Sequence, residues 1–232
     1  MTFPADKTGR EGAITMVQIT KETSLAQMRF PFGAVEVTYP RQLHIDAFRA
    51  LVTEELNALS QRFADYDRKA VFGENPYFRF FKKFKKTYPV MLQMESVLLK
   101  GRPFPNFNAV AEVPFLLELT TQVLSGAHDL DRVKGEMELF LGTEKAPFLG
   151  MRGEWMHTYP GDFCARDDGG IIFSLIAGAD ARTCAQTDTR RVLYPIFGTP
   201  ELPEAVISAA MDTLCGYIRV LAPDADIVCR LL

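Results

Sequence analysis

Between residues 40 and 66 the apolar positions Leu43, Phe48, Leu51, Val52, Leu56, Leu59 and Phe63 return at nearly helical spacing, with polar residues between them. The pattern predicts a helix entered from Pro40 and finished near Tyr66. Upstream, residues 13–20 and 34–38 are rich in strand formers, while residues 1–12 are polar and glycine-containing and read as a frayed end. Residues 72–88 mix aromatic with basic side chains and predict one short helix. Pro89 suits a first helical position and Gly101 a stop, so residues 90–100 read as a helix with Met91, Met94, Val97 and Leu98 inward. The run Arg102-Pro103-Phe104-Pro105 is a loop. Asn108 can cap a helix over 109–124, in which Pro114 implies a kink or a later start.

From Glu136 the period shortens to that of strands, at 136–141, 162–166, 170–176 and 192–197, punctuated by Gly, Asp and Pro. A helix over 203–221 and a strand over 226–231 close the chain. Helices and strands fall in blocks without βα alternation, which predicts an α+β fold of mixed sheets with packed helices. At 232 residues the expectation is one domain, 1–232, with one core.

Charge and composition narrow the classes. A net charge of −3 argues against an evenly basic nucleic-acid binder but leaves room for a local patch. The cysteines Cys164, Cys184, Cys215 and Cys229 form no Cys-x-x-Cys pair and have no paired histidines nearby, so neither a metal nor a cofactor is expected. Residues 1–21 hold acids and bases and no continuous apolar stretch, so export and membrane partners are not expected and cytoplasmic residence with free thiols is. Phosphate loops, dinucleotide glycine fingerprints, nucleophile elbows and zinc-protease helices are absent from the sequence.

Three segments carry candidate chemistry. In Ser125-Gly126-Ala127-His128-Asp129-Leu130-Asp131, Gly126 permits close approach to a ligand, and a carboxylate beside His128 can set its tautomer and raise its pKa. His128 and Asp129 are thus the candidate catalytic pair, with Asp131 beside them. The same letters also describe a helix-ending glycine followed by an Asp cap. The second segment runs from Gly178, Asp180, Arg182 and Thr183 to Thr189. It can form a polar pocket for a carboxylate, ribose or phosphate, or simply a solvated connection between strands. The third interleaves Lys82, Lys83, Lys85 and Lys86 with Phe80, Phe81, Phe84 and Tyr88. That composition suits RNA phosphates and stacked bases, and equally the solvated face of an amphipathic helix.

Taken in order, Phe81-Lys82-Lys83-Phe84, Tyr88-Pro89, Glu95, Leu98 to Gly101, Pro105-Asn106, Asn108, Asp129 to Asp131 and Gly135 resemble a known family. It is the B-three/B-four domain, the tRNA-binding editing module of the bacterial phenylalanyl-tRNA synthetase beta subunit, especially its free-standing relatives. Pro160-Gly161-Asp162, Asp168, Gly170, Arg182, Thr189 and Arg191-Val192-Leu193 extend the resemblance, whose core spans 78–198. It implies tRNA, aminoacyl-tRNA or a related aminoacyl compound as partner, no DNA, and possible hydrolysis of a mischarged ester without a metal. A complete synthetase is not implied.

The family's pocket holds a Thr-Asn pair, a histidine, small glycines and a glutamate that reads the tyrosine hydroxyl. The matching positions here hold Pro114-Phe115, Gly126, Gly178 and Pro195. With no acceptor at Pro195, selection of tyrosine is not expected. The alternative from another class is a non-catalytic binding protein for an amino-acid-like molecule or a protein partner.

Overall fold

A computed structural model describes residues 16–232. Its strands are β1 (Ile19–Lys21), β2 (Phe32–Thr38), β3 (His128–Asp129), β4 (Met137–Leu141), β5 (Pro147–Leu149), β6 (Trp155–His157), β7 (Phe163–Asp167), β8 (Gly170–Ser174), β9 (Gly178–Ala179), β10 (Arg191–Phe197) and β11 (Asp226–Leu231). The helices are α1 (Thr23–Gln27), α2 (Ile45–Arg62), α3 (Arg68–Phe72), α4 (Pro76–Lys83), α5 (Pro89–Met94), α6 (Ala109–Thr121) and α7 (Glu204–Leu221).

The chain is a mixed α+β protein with several sheets and packed helices. One sheet has the order β1-β4-β7-β8-β9, a second β11-β2-β10-β3, and β5-β6 form a separate hairpin. The two larger sheets face each other through Phe32, Phe163, Phe173 and Phe197, whose rings pack at 4.8–6.4 Å, several of them edge-on. Helices α2, α6 and α7 pack together, with α7 also against β2 and β10. Within β10 the side chains alternate, so Tyr194 turns to α6 while Phe197 turns to the opposing sheet.

Differences from the expected elements have local causes. Residues 1–15, which hold the expected frayed end and the start of the expected first strand, lie outside the described residues. The predicted helix over 90–100 is α5 followed by one wide turn, Glu95–Leu99, in which Lys100 N–H reaches Glu95 O at 3.1 Å. Glu95 is anchored there by Arg68 and Tyr66.

Helix α6 runs through Pro114. Proline lacks the N–H that would bond Val110 O, and the Tyr194 hydroxyl fills that acceptor at 2.9 Å. The helix ends at Gln122, in the left-handed conformation. Glu112 reaches back to the N–H groups of Phe107 and Asn108, a role the sequence gives to Asn108, whose own side chain makes no cap bond.

Candidate functional site

A cleft of about 540 Å³ opens between α4–α5, α6, the β5-β6 hairpin and the strands that end near His128. Four positions of α6, Ala111, Pro114, Phe115 and Glu118, follow helical spacing and present one face to it. Phe173 and Phe197 come from the two facing sheets, and the hairpin tip supplies Met151, Arg152 and Glu154. Two backbone bonds, Met151 N–H to Ala179 O and Ala181 N–H to Leu149 O, fasten that tip to the edge of β9. Gly178, at φ +106°, makes the bend beneath it, a conformation that side-chain-bearing residues avoid.

His128 is fully buried in β3 and faces Phe173 at a ring separation of 5.8 Å. Its Nδ1 lies 2.8 Å from Thr183 Oγ1, and the Thr183 hydroxyl donates to Asp180. A hydroxyl has one proton, so with that proton on Asp180, Thr183 can only accept from His128. Nδ1 therefore carries the ring proton and Nε2 is left as an acceptor. A methyl on Gly126 would sit 3.8 Å from Nε2 and 3.5 Å from the Pro195 ring, so the glycine keeps the space before Nε2 open. Burial, assisted by the Arg182 charge, lowers the His128 pKa to about 4, so the ring is neutral near pH 7. Asp180, itself buried, is raised above the usual carboxylate range by desolvation.

The second titratable group in the cleft is Glu118, 5 % exposed, which accepts from Ser125 N–H at 2.9 Å and from Ser125 Oγ at 3.5 Å, with the Gln93 side chain near enough to favour the ionised form. Burial pushes its carboxyl up to about 8. The sequence reading had no place for Glu118, Gln93 or the hairpin. The available signal was a lone acid in the apolar run Pro114-Phe115-Leu116-Leu117-Glu118-Leu119.

Of the residues singled out from the sequence, Phe115, Gly126, His128, Gly178 and Lys86 line the cleft, and Asp180 and Thr183 stand directly behind His128. Asp129 does not pair with His128. It is the next residue of a strand and so faces the opposite way, where it bonds Thr189 Oγ1 at 2.8 Å and meets Arg132 at 3.4 Å. The expected rise in the His128 pKa is correspondingly a fall. Thr189 is occupied by Asp129, and Asp131 is exposed and paired with Arg191 at 2.8 Å. Neither lines the cleft. Arg182 is not available to a ligand carboxylate either, since both its terminal nitrogens are held by Asp167 at 2.7 and 2.9 Å.

Segment 125–131 pairs with β10 at Leu193 and Val192, so Gly126 does not end a helix, but the expected Asp cap is present: the Asp129 carboxylate accepts from Asp131 N–H at 2.9 Å and caps a short 3-10 turn, Leu130–Arg132. On α4 and just beyond it, Tyr77, Phe80 and Phe81 are buried while Lys82, Lys83, Lys85 and Lys86 are exposed. Lys83 pairs with Glu201 at 3.6 Å, and Lys86 lies over the Tyr159 ring at the cleft mouth.

No group of three or more His, Cys, Asp or Glu that could hold a metal ion occurs among the described residues, and no helix among them is long and apolar enough to cross a membrane. No family model matches the chain, and no curated protein matches it. Solved structures do match, among them an N-terminal fragment of the phenylalanyl-tRNA synthetase beta-subunit from Pyrococcus horikoshii. That match has a TM-score of 0.46 and 12% identity over 92% of this chain and 50% of the other, so the chain spans half the length of that fragment.

Proposed function

We propose that the chain binds an aminoacyl compound in this cleft, either aminoacyl-tRNA or a smaller ester, and hydrolyses the ester with His128 as general base. The observation that carries the reading is the Asp180–Thr183–His128 series, which fixes one tautomer and leaves Nε2 unprotonated toward an apolar cleft. In this reading Nε2 takes a proton from water as the water oxygen adds to the ester carbonyl. The ester C–O bond then breaks and the proton passes to the leaving oxygen. Phe115, Phe173 and Phe197 supply apolar surface for the aminoacyl side chain. The editing-module fold and the partner tRNA follow from the sequence resemblance, with Lys82, Lys83, Lys85 and Lys86 offered to RNA phosphates. Asp129, Asp131, Arg182 and Thr189 have no part in it.

The test is single-turnover hydrolysis of tyrosyl- and phenylalanyl-tRNA. Hydrolysis of both without preference for the tyrosyl ester is expected, because Pro195 has no acceptor for the phenol. A strong tyrosyl preference would refute that assignment of Pro195. One observation favours the non-catalytic alternative: a histidine held near pKa 4 is a weak base. Binding of the aminoacyl compound with no hydrolysis of either ester would select that alternative.

A further inference from the structure

Four glutamates are buried among the described residues: Glu36, Glu95, Glu112 and Glu118. Three are matched by arginines, Glu36 by Arg230, Glu95 by Arg68 and Glu112 by Arg49. Glu118 has no lysine or arginine partner among the described residues, and it alone of the four lines the cleft. A carboxylate in apolar surroundings is costly to ionise without a cation, which is why such groups are normally paired. Asp162 is also buried without a cation, but both its oxygens accept donors from the end of β8 and the turn after it, the Ser174 hydroxyl and Ile176 N–H, and it does not line the cleft.

Beside Glu118 the buried Gln93 Oε1 has no hydrogen-bond partner, and the same side chain is near enough to favour the ionised carboxylate. This end of the cleft therefore offers acceptors that the protein leaves short of donors, and a carboxyl with no cation beside it to balance its ionised form. We infer that Glu118, with Gln93 Oε1, forms a subsite for the primary ammonium of the ligand, the α-amino group of a free aminoacyl compound. The assignment rests on the aminoacyl reading above and adds that N-acylated ligands are excluded.

The groups that face Glu118 are few. Tyr77 and Tyr88 adjoin it from α4 and the start of α5, Ser125 from the turn after α6, and His128, Lys86, Arg152 and Glu154 share the cleft. Tyr77 and Tyr88 are held far above their ordinary range by burial, and His128 far below neutrality, so none of the three titrates near pH 7. Capture of an ammonium near neutral pH must then ionise Glu118 and expel its proton to solvent.

The probes are L-phenylalaninamide and its N-acetyl derivative, which share a side chain and lack a labile ester, titrated calorimetrically into the intact chain slightly below neutral pH. The free-amine compound is expected to bind at least about tenfold more tightly, as a charge-assisted hydrogen bond provides. Repeating the titration in buffers of different ionisation heat should reveal close to one proton released. Glu118→Gln, nearly isosteric, should erase the preference without weakening the N-acetyl compound. Equal binding of the two probes, or no proton release on wild-type chain, overturns the ammonium subsite and leaves the aminoacyl reading standing. If neither probe binds, the aminoacyl reading fails and the subsite falls with it.

Discussion

Glu112 and Glu118 lie on one helix, six positions apart, and both are buried, yet the protein treats them in opposite ways. Glu112 holds Arg49 at 2.5 Å, with angles outside hydrogen-bond geometry for that oxygen, and its other oxygen accepts two backbone N–H groups at the helix start. Its counter-charge is supplied from within, by Arg49. Glu118 sits at the other end of the helix, receives the Ser125 N–H and hydroxyl, and faces a cleft. The difference teaches that burial of an acid is silent about function until its counter-charge is located.

The comparison breaks most readily on stability. Glu112→Gln strands the Arg49 guanidinium at a mostly buried pair and should cost about 3–5 kcal/mol in a denaturant titration. Glu118→Gln should leave the midpoint unchanged or raise it, since no cation loses its partner. Similar losses for both would erase the distinction.

Reactivity and charge recognition should separate next. His128→Ala is expected to lower single-turnover hydrolysis by at least about 10²-fold while the free-amine preference survives. Loss of that preference together with hydrolysis would mean that Glu118 and His128 work as one unit.

A smaller effect comes from protons. Folded Glu118 keeps its proton up to about pH 8, whereas the unfolded chain loses it near 4.5, so between those values the folded state binds one proton more. Stability must then fall as pH rises, by at most about 1.4 kcal/mol per unit. His128 acts in the other direction, because its folded pKa of about 4 lies below the unfolded 6.5 and stability rises through that interval. The two slopes offset one another below 6.5, where Asp162, raised to about 6 by burial, adds a fall of its own, so the Glu118 slope is cleanest from 6.5 to about 7, above which Cys229, lowered to about 7 by the Cys215 thiol, acts against it. Thermal melts across that window should decline for the wild type and lie flat for Glu118→Gln.

The smallest expected change concerns the exposed lysines, which carry neither kind of buried charge. If Lys82, Lys83, Lys85 and Lys86 all meet phosphates, the log–log salt slope for tRNA binding should be roughly −3, from about −0.7 per contact. Replacing all four by Gln should flatten it with little change in melting. An unchanged slope would assign them to a solvated helix face.

Legibility followed the range of the interactions. Helices α2 and α7 announce themselves through periodicity, because one face of each meets the core over many residues, whereas strands β4, β7, β8, β10 and β11 show as runs of strand formers between Gly, Asp and Pro, β10 being buried on both faces. Strand β3 and the hairpin β5-β6 are too short for a period to register, and their place depends on partners about 65 and 30 residues away in sequence, β10 and β9. His128 and Gly178 could be picked out as small-residue turns with chemistry attached. Asp129 was misread because adjacency in sequence becomes opposition in a strand. Arg182 was misread because its partner Asp167 belongs to a different strand and is invisible in the local pattern.

The Tyr194 hydroxyl has a further consequence. By taking the acceptor that Pro114 leaves open at Val110 O, and by meeting the Tyr39 hydroxyl at 2.6 Å, it ties α6 crosswise to β10 and to the strand end beside it. Both elements line the cleft, α6 through Phe115 and Glu118 and β10 through Phe197. A recess whose walls are cross-braced by a buried hydroxyl is preorganised: a ligand meets surfaces already in place and spends little of its binding free energy on ordering them.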